Sequence, residues 1–94
     1  MKTFDWDREK NEELKRKRGI SFEQIVQILA RDGPLRIHDH PNQGKYPGQK
    51  IFSVGMRGYV YLVPFVQKED TIFLKTIYPS RKATGEYRKK EEKA

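Results

Sequence analysis

The 94-residue chain contains no cysteine. That excludes a disulfide scaffold, a thiolate-bound zinc or iron–sulfur centre, and a cysteine nucleophile. Long apolar runs are missing too. The longest, Tyr59–Val66, falls far short of the roughly 20 residues that span a bilayer. The opening residues, Met1 to Asp7, are charged and lack the apolar centre of a signal peptide. Acidic residues are the scarcer charge, 13 against 20 lysines and arginines, for a net charge of +7. No serine sits in a His/Asp constellation, and the glycines match neither nucleotide-binding fingerprint, so serine-hydrolase and phosphate-loop chemistry have no support. Apolar residues make up only 35%, yet five Phe, five Tyr and one Trp argue against global disorder. These proportions predict one soluble, cytoplasmic domain over residues 1–94, with no membrane partner and basic enough to touch nucleic acid.

The pattern predicts two helices, then strands, then a helix. Phe4-Asp5-Trp6 reads as a short strand or anchor. Asp7 can cap a polar helix over Arg8–Arg18, with Lys15-Arg16-Lys17-Arg18 at its C-terminal end and Gly19 closing it. Ser21 and Gln24 form a capping box, and Phe22, Ile25, Val26 and Leu29 make an apolar stripe. Asp32-Gly33-Pro34 ends that helix. Leu35–His38 alternates like a strand. Three further strands are expected at Gln49–Gly55, Tyr59–Val66 and Thr71–Tyr78, with connections short enough for an antiparallel meander. Pro64 cannot donate to a ladder, so a bulge or a strand ending by Val63 is expected there. A polar helix over Lys82–Glu92 closes the chain. The fold class is α+β: two N-terminal helices, an antiparallel sheet of three to four strands, and a C-terminal helix.

Two groups of residues could carry chemistry. His38 and His40 point the same way if their strand persists, which suits a shared metal ion, a solvated loop pair, or a proton-transfer role. Lys50, Arg57, Arg81 and Lys82 lie in or just beyond strands. Lys50, Arg57 and Arg81 could converge on one sheet face. An arginine fork suits a phosphate and the extra charge of a pentacoordinate phosphorane; the plain alternative is ordinary surface charge. The aromatics Phe52, Tyr59, Tyr61, Phe65 and Phe73 sit at strand spacing and read mostly as core.

Several stretches combine into a family likeness. Phe4-Asp5-Trp6-Asp7, with Lys10-Asn11 and then Lys17-Arg18-Gly19-Ile20-Ser21-Phe22-Glu23, resembles the BrnT toxins of bacterial type II toxin–antitoxin systems, which read F-x-W-D-x-x-K and then K-H-G-[VI]-S-F-E. Pro79-Ser80-Arg81-Lys82-Ala83-Thr84 is similar to the family's S-A-R-[RK]-A-[ST] segment. The likeness covers nearly the whole chain. Arg18 stands where the family has histidine, and Gly48-Gln49-Lys50 lacks the carboxylate of the family's G-E-x-R stretch. The resemblance implies a RelE-like ribonuclease that arrests translation. It also implies a ribbon-helix-helix antitoxin encoded next to it, with a 2:2 toxin–antitoxin assembly.

The expected reaction is attack of a 2′-OH on the adjacent phosphate, which needs a base, cations at the phosphate and an acid at the departing 5′-oxygen. Neither a metal nor a cofactor is expected. Arg57 and Arg81 are the first candidates for the phosphate, with Lys50 or Lys82 assisting. His38, His40, Tyr78 or a lysine could move protons. Two rival readings stand beside it: a basic module that binds RNA or protein without cleaving anything, and a structural protein whose sheet face pairs with a partner.

Overall fold

The computed structural model describes residues 2–93, with 91–93 described by their backbone course alone. The chain begins with β1 (Thr3–Trp6) and helix α1 (Arg8–Arg18). The Asp7 carboxylate accepts the Lys10 amide at 3.1 Å, and Gly19, at φ +66°, turns its own N–H back to the Lys15 carbonyl. Helix α1 buries only Leu14 and Asn11. Its polarity is tolerable because both ends are capped and its cations gather where the helix dipole is negative.

Helix α2 (Phe22–Arg31) opens on the expected capping box, with Ser21 and Gln24 each satisfying the other's backbone N–H. Its stripe is rotated slightly from the expectation. Phe22, Ile25 and Ile28 are buried, while Val26 and Leu29 flank them half-buried. Asn11 ties the two helices together. Its carbonyl oxygen accepts the Phe22 N–H at 2.8 Å, and its amide donates to the Glu23 carboxylate. That bond, more than any other influence, holds the Glu23 carboxyl below its ordinary pKa. Asn11 is 3% exposed, so a backbone N–H that α2 would otherwise leave unpaired has a partner inside the fold.

Strands β2 (Arg36–Asp39), β3 (Lys50–Met56), β4 (Tyr59–Lys68) and β5 (Thr71–Leu74) form the expected antiparallel meander. The sheet itself departs from expectation. β1 pairs parallel to β5, and β6 (Tyr78–Pro79) pairs with β4, which makes a mixed sheet of six strands where three or four antiparallel ones were expected. The α+β class and the three helices stand; α3 (Arg81–Lys93) closes the fold.

Pro64 neither ends nor bulges its strand, and β4 runs through it in unbroken register with β3. Its carbonyl accepts the Lys75 N–H at 2.8 Å, so the position of its missing N–H faces the same side. That is where β5 ends, so the ladder to β3 loses no bond. The irregularity sits on the neighbour instead. From Phe65↔Leu74 to Leu62↔Tyr78, β4 advances three residues while the partner advances four. One extra residue therefore lies between β5 and β6, and it splits the expected Thr71–Tyr78 strand.

Strand alternation divides the sheet into two faces. One carries Phe52, Val54 and Met56 of β3, Val63 and Phe65 of β4, and Ile72 and Leu74 of β5, packed on Leu14, Phe22, Ile25 and Ile28. Phe52 and Phe65 stack there with ring centroids 3.9 Å apart, and Trp6 stacks on Phe22. Tyr59, Tyr61 and Phe73 are only half-buried. The opposite face carries Arg36 and His38, Ile51 and Ser53, Val60, Leu62 and Pro64, and Tyr78, and α3 lies across it.

Candidate active site

Helix α3 is seated by its first turn. The Ser80 hydroxyl accepts the Ala83 N–H at 3.1 Å, and the Ser80 N–H donates to the Val60 carbonyl. The Thr84 hydroxyl, 4% exposed, donates to the Ser80 carbonyl and accepts the Val60 N–H at 2.8 Å. The Arg88 guanidinium reaches the Gly58 carbonyl at 3.1 Å, which fastens the middle of the helix to the β3–β4 turn. This first turn holds no acidic residue and two cations, Arg81 and Lys82. They stand at the positive end of the helix dipole, which raises the local potential for an anion.

Between α3 and β2 lies a cleft of about 480 Å³. Its lining includes Arg36, His38 and Asp39 from β2, Ser53 and Leu62 from the sheet, and Lys82, Glu86, Tyr87 and Lys90 from α3. His38 is the unusual group. Its Nδ1 is buried with no hydrogen-bond partner, which leaves Nε2 as the nitrogen available to the cleft. Burial first, and then the Arg36 charge, hold its imidazole below the ordinary 6.5, with Asp39 acting the other way. The ring's partial burial and the neighbouring Arg36 charge both favour its neutral form.

The structure brings His38 and Lys82 into one cleft and separates the rest. His40 lies on the same face as His38, since its N–H continues the β2–β3 ladder to Gln49. However, it lines a neighbouring cleft of about 380 Å³ with Tyr46, Lys75 and Tyr78. There the His40 Nδ1 accepts the Asn42 N–H and its ring lies 4.4 Å from that of Tyr46. Burial pushes the Tyr78 phenol above its ordinary value, so it keeps its proton.

The expected convergence of Lys50, Arg57 and Arg81 does not occur. Lys50 stands two residues from buried Phe52, on the same side of β3, and so belongs to the face that α1 and α2 cover. Arg57 sits at the other end of β3, roughly 20 Å of strand away. It occupies the β3–β4 turn at φ +56°, followed by Gly58 at +76°, the signature of a two-residue type I′ hairpin. Arg57 lines a third cleft, of about 600 Å³, with Arg88, Asp32, Leu35 and Tyr87. Arg81 is exposed on the first turn of α3 and does not line the His38 cleft.

Sequence reasoning missed Arg36, Ser53, Tyr87, Arg88 and Lys90. Two signals were available. Arg36 and His38 follow strand spacing, and Lys82, Glu86 and Lys90 follow one another at four-residue intervals along one helix face. No signal marks Ser53, which reaches the cleft only through its pairing opposite Arg36 and Leu62.

Among the described residues no group of three or more His, Asp or Glu is arranged to hold a metal ion, and no helix is long and apolar enough to cross a membrane. No family model matches the chain, and neither the curated proteins nor the solved structures contain a match. The likeness to the BrnT toxins therefore rests on the motifs alone. Two of them have a physical reading in this fold. Asn11 and Ser21-Phe22-Glu23 form the α1–α2 junction, and Ser80 to Thr84 seat α3 against β4.

Proposed function

We propose that the chain is a ribonuclease toxin of a type II toxin–antitoxin system. It cleaves RNA without a metal, arrests translation in the cytoplasm, and is neutralised by a ribbon-helix-helix antitoxin in a 2:2 assembly. The observation that carries the reading is His38, with a buried, unpartnered Nδ1, in the same cleft as Lys82 at the N-terminal turn of α3.

The roles follow from that placement. Nε2 of neutral His38 takes the proton from the 2′-OH as its oxygen attacks the neighbouring phosphorus. Lys82, Arg36 and the dipole of α3 stabilise the extra negative charge on the phosphorane. The departing 5′-oxygen leaves on the far side from the attacking oxygen, so a second group must protonate it. The Lys82 ammonium is the donor in the cleft that fits this task. Arg57 and Arg81 are no longer the first candidates for the reacting phosphate, because neither lines the His38 cleft.

The test is induced expression followed by growth and RNA measurements. The parent chain is expected to stop growth and cleave RNA in the presence of a chelator. His38→Gln and Lys82→Gln should each lose cleavage by at least about 100-fold while remaining folded, consistent with the usual worth of proton transfer. Co-expression of the neighbouring reading frame should restore growth. Undiminished cleavage by the His38 variant sinks the assignment. The second reading, a module that binds RNA or protein without cleaving it, is favoured by the exposed Leu35 and Ile37 at the β2 edge. It predicts salt-dependent binding and no cleavage from any variant.

A further inference from the structure

The His38 cleft does not end at α3. Tyr87 and Leu35 line both it and the cleft at the β3–β4 turn, so the two are adjacent and share a ridge. Beyond that ridge stand two cations with no carboxylate partner among the described residues, Arg57 and Arg88. The acid nearest to them in the lining, Asp32, is already taken by Arg31 at 2.9 Å.

Both cations are placed by backbone. The Gly58 carbonyl orients the Arg88 guanidinium through one nitrogen, and among the described residues the remaining donors of its fork have no partner. Arg57 stands at a left-handed turn position that asparagine, aspartate or glycine would fill with less strain. A residue kept there against its conformational preference points to a use for its side chain.

We propose that Arg57 and Arg88 form a second phosphate subsite. A single RNA strand cut in the His38 cleft would cross the ridge at Tyr87 and place a neighbouring phosphate between these two arginines. The inference rests on the ribonuclease reading and deepens it by naming the substrate class as single-stranded RNA longer than one phosphodiester step. Arginine forks suit phosphate oxygens, and an aromatic ridge between two anion sites suits an unstacked base. A duplex presents paired, stacked bases and has none free to meet Tyr87.

The variant Arg57→Asn removes the charge while supplying a residue the turn prefers, so folding is preserved. Binding is read with a 2′-O-methyl RNA hexanucleotide, which cannot be cut, and with the corresponding dinucleotide. The parent is expected to bind the hexanucleotide with a steep salt dependence. Arg57→Asn should weaken that binding about tenfold, as expected for loss of one charged hydrogen-bonded contact. It should also flatten the slope of log affinity against log salt by about 0.7, and leave the dinucleotide unchanged. Arg88→Gln should act in the same direction. If Lys82→Gln weakens the hexanucleotide while Arg57→Asn and Arg88→Gln do not, the second subsite is wrong and the ribonuclease reading survives. If the arginine variants weaken binding but His38→Gln still cleaves, the subsite survives and the ribonuclease assignment of His38 is wrong. If a glutamate hexapeptide binds as tightly as RNA with equal dependence on Arg57, an acidic protein segment takes the place of RNA and the inference is overturned.

Discussion

The ion pairs among the described residues all lie between Lys10 and Asp32, on or at the end of the two helices that cover one face of the sheet. Across the sheet, Arg36, Arg57, Lys82, Arg88 and Lys90 border clefts and have no carboxylate among the described side chains within 4.0 Å. Exposed pairs of the first kind contribute little to stability, so pairing is not what holds the helices to the sheet. Burial does, since Phe22, Ile25, Val54, Val63 and Leu74 are fully covered there. The contrast concerns the field outside the protein. On the helical face local acids pair with the cations; on the α3 face the cleft-bordering cations form no such pairs among the described side chains.

The sharpest way to break the contrast is to damage the helical face. Phe22→Ala should cost about 3–5 kcal/mol, because a fully buried ring leaves a cavity. Its urea midpoint should collapse, and any activity would be lost through unfolding. Next comes Asn11→Ala, which strands the Phe22 N–H and frees Glu23. Equilibrium unfolding should show a loss of about 1–3 kcal/mol, without a direct effect on nucleic-acid binding. Thr84→Val probes the α3 face by taking the acceptor from the Val60 N–H. The expected loss is about 1–2 kcal/mol. Hydrogen exchange should speed up at Val60 and in the first turn of α3 while α1 and α2 keep their protection, and equal acceleration everywhere would deny the two faces any independence.

The smallest effect is a pH dependence. His38 in the fold has a pKa below 6.5, so as pH falls below that value the unfolded chain gains a proton that the folded chain still refuses. Stability from this group is complete above pH 6.5 and declines with acidification until the folded pKa is reached. Urea midpoints for the parent and His38→Gln, measured across pH 7.5 to 5, should differ in slope below 6.5. Parallel curves would contradict the burial of a neutral ring.

Much of the architecture was legible in local signals. Asp7, Gly19, Ser21 and Gln24 announce helix ends because caps act within a few residues. The meander was legible because short connections leave hairpins as the simplest arrangement. What could not be read was long-range: the pairing of Thr3–Trp6 with Thr71–Leu74, and the side of the ladder on which Pro64 lacks its donor. The same limit governs the site. Lys82 and His38 were legible as chemistry, yet the alternation that puts Lys50 on the wrong face and the length of β3 that carries Arg57 away depend on register. Arg88 and Tyr87 gain meaning only once α3 crosses the sheet.

The parallel strand at the edge has one more consequence. Thr3 and Thr71 stand side by side although 68 residues separate them in the chain. Closing so large a loop is entropically costly until the intervening hairpins have shortened it. On a ribosome β1 is made before β5 and has nothing to pair with until β5 emerges. Synthesis order and assembly order therefore run in opposite directions at this edge: the strand made earlier is paired only after the hairpins that follow it have formed.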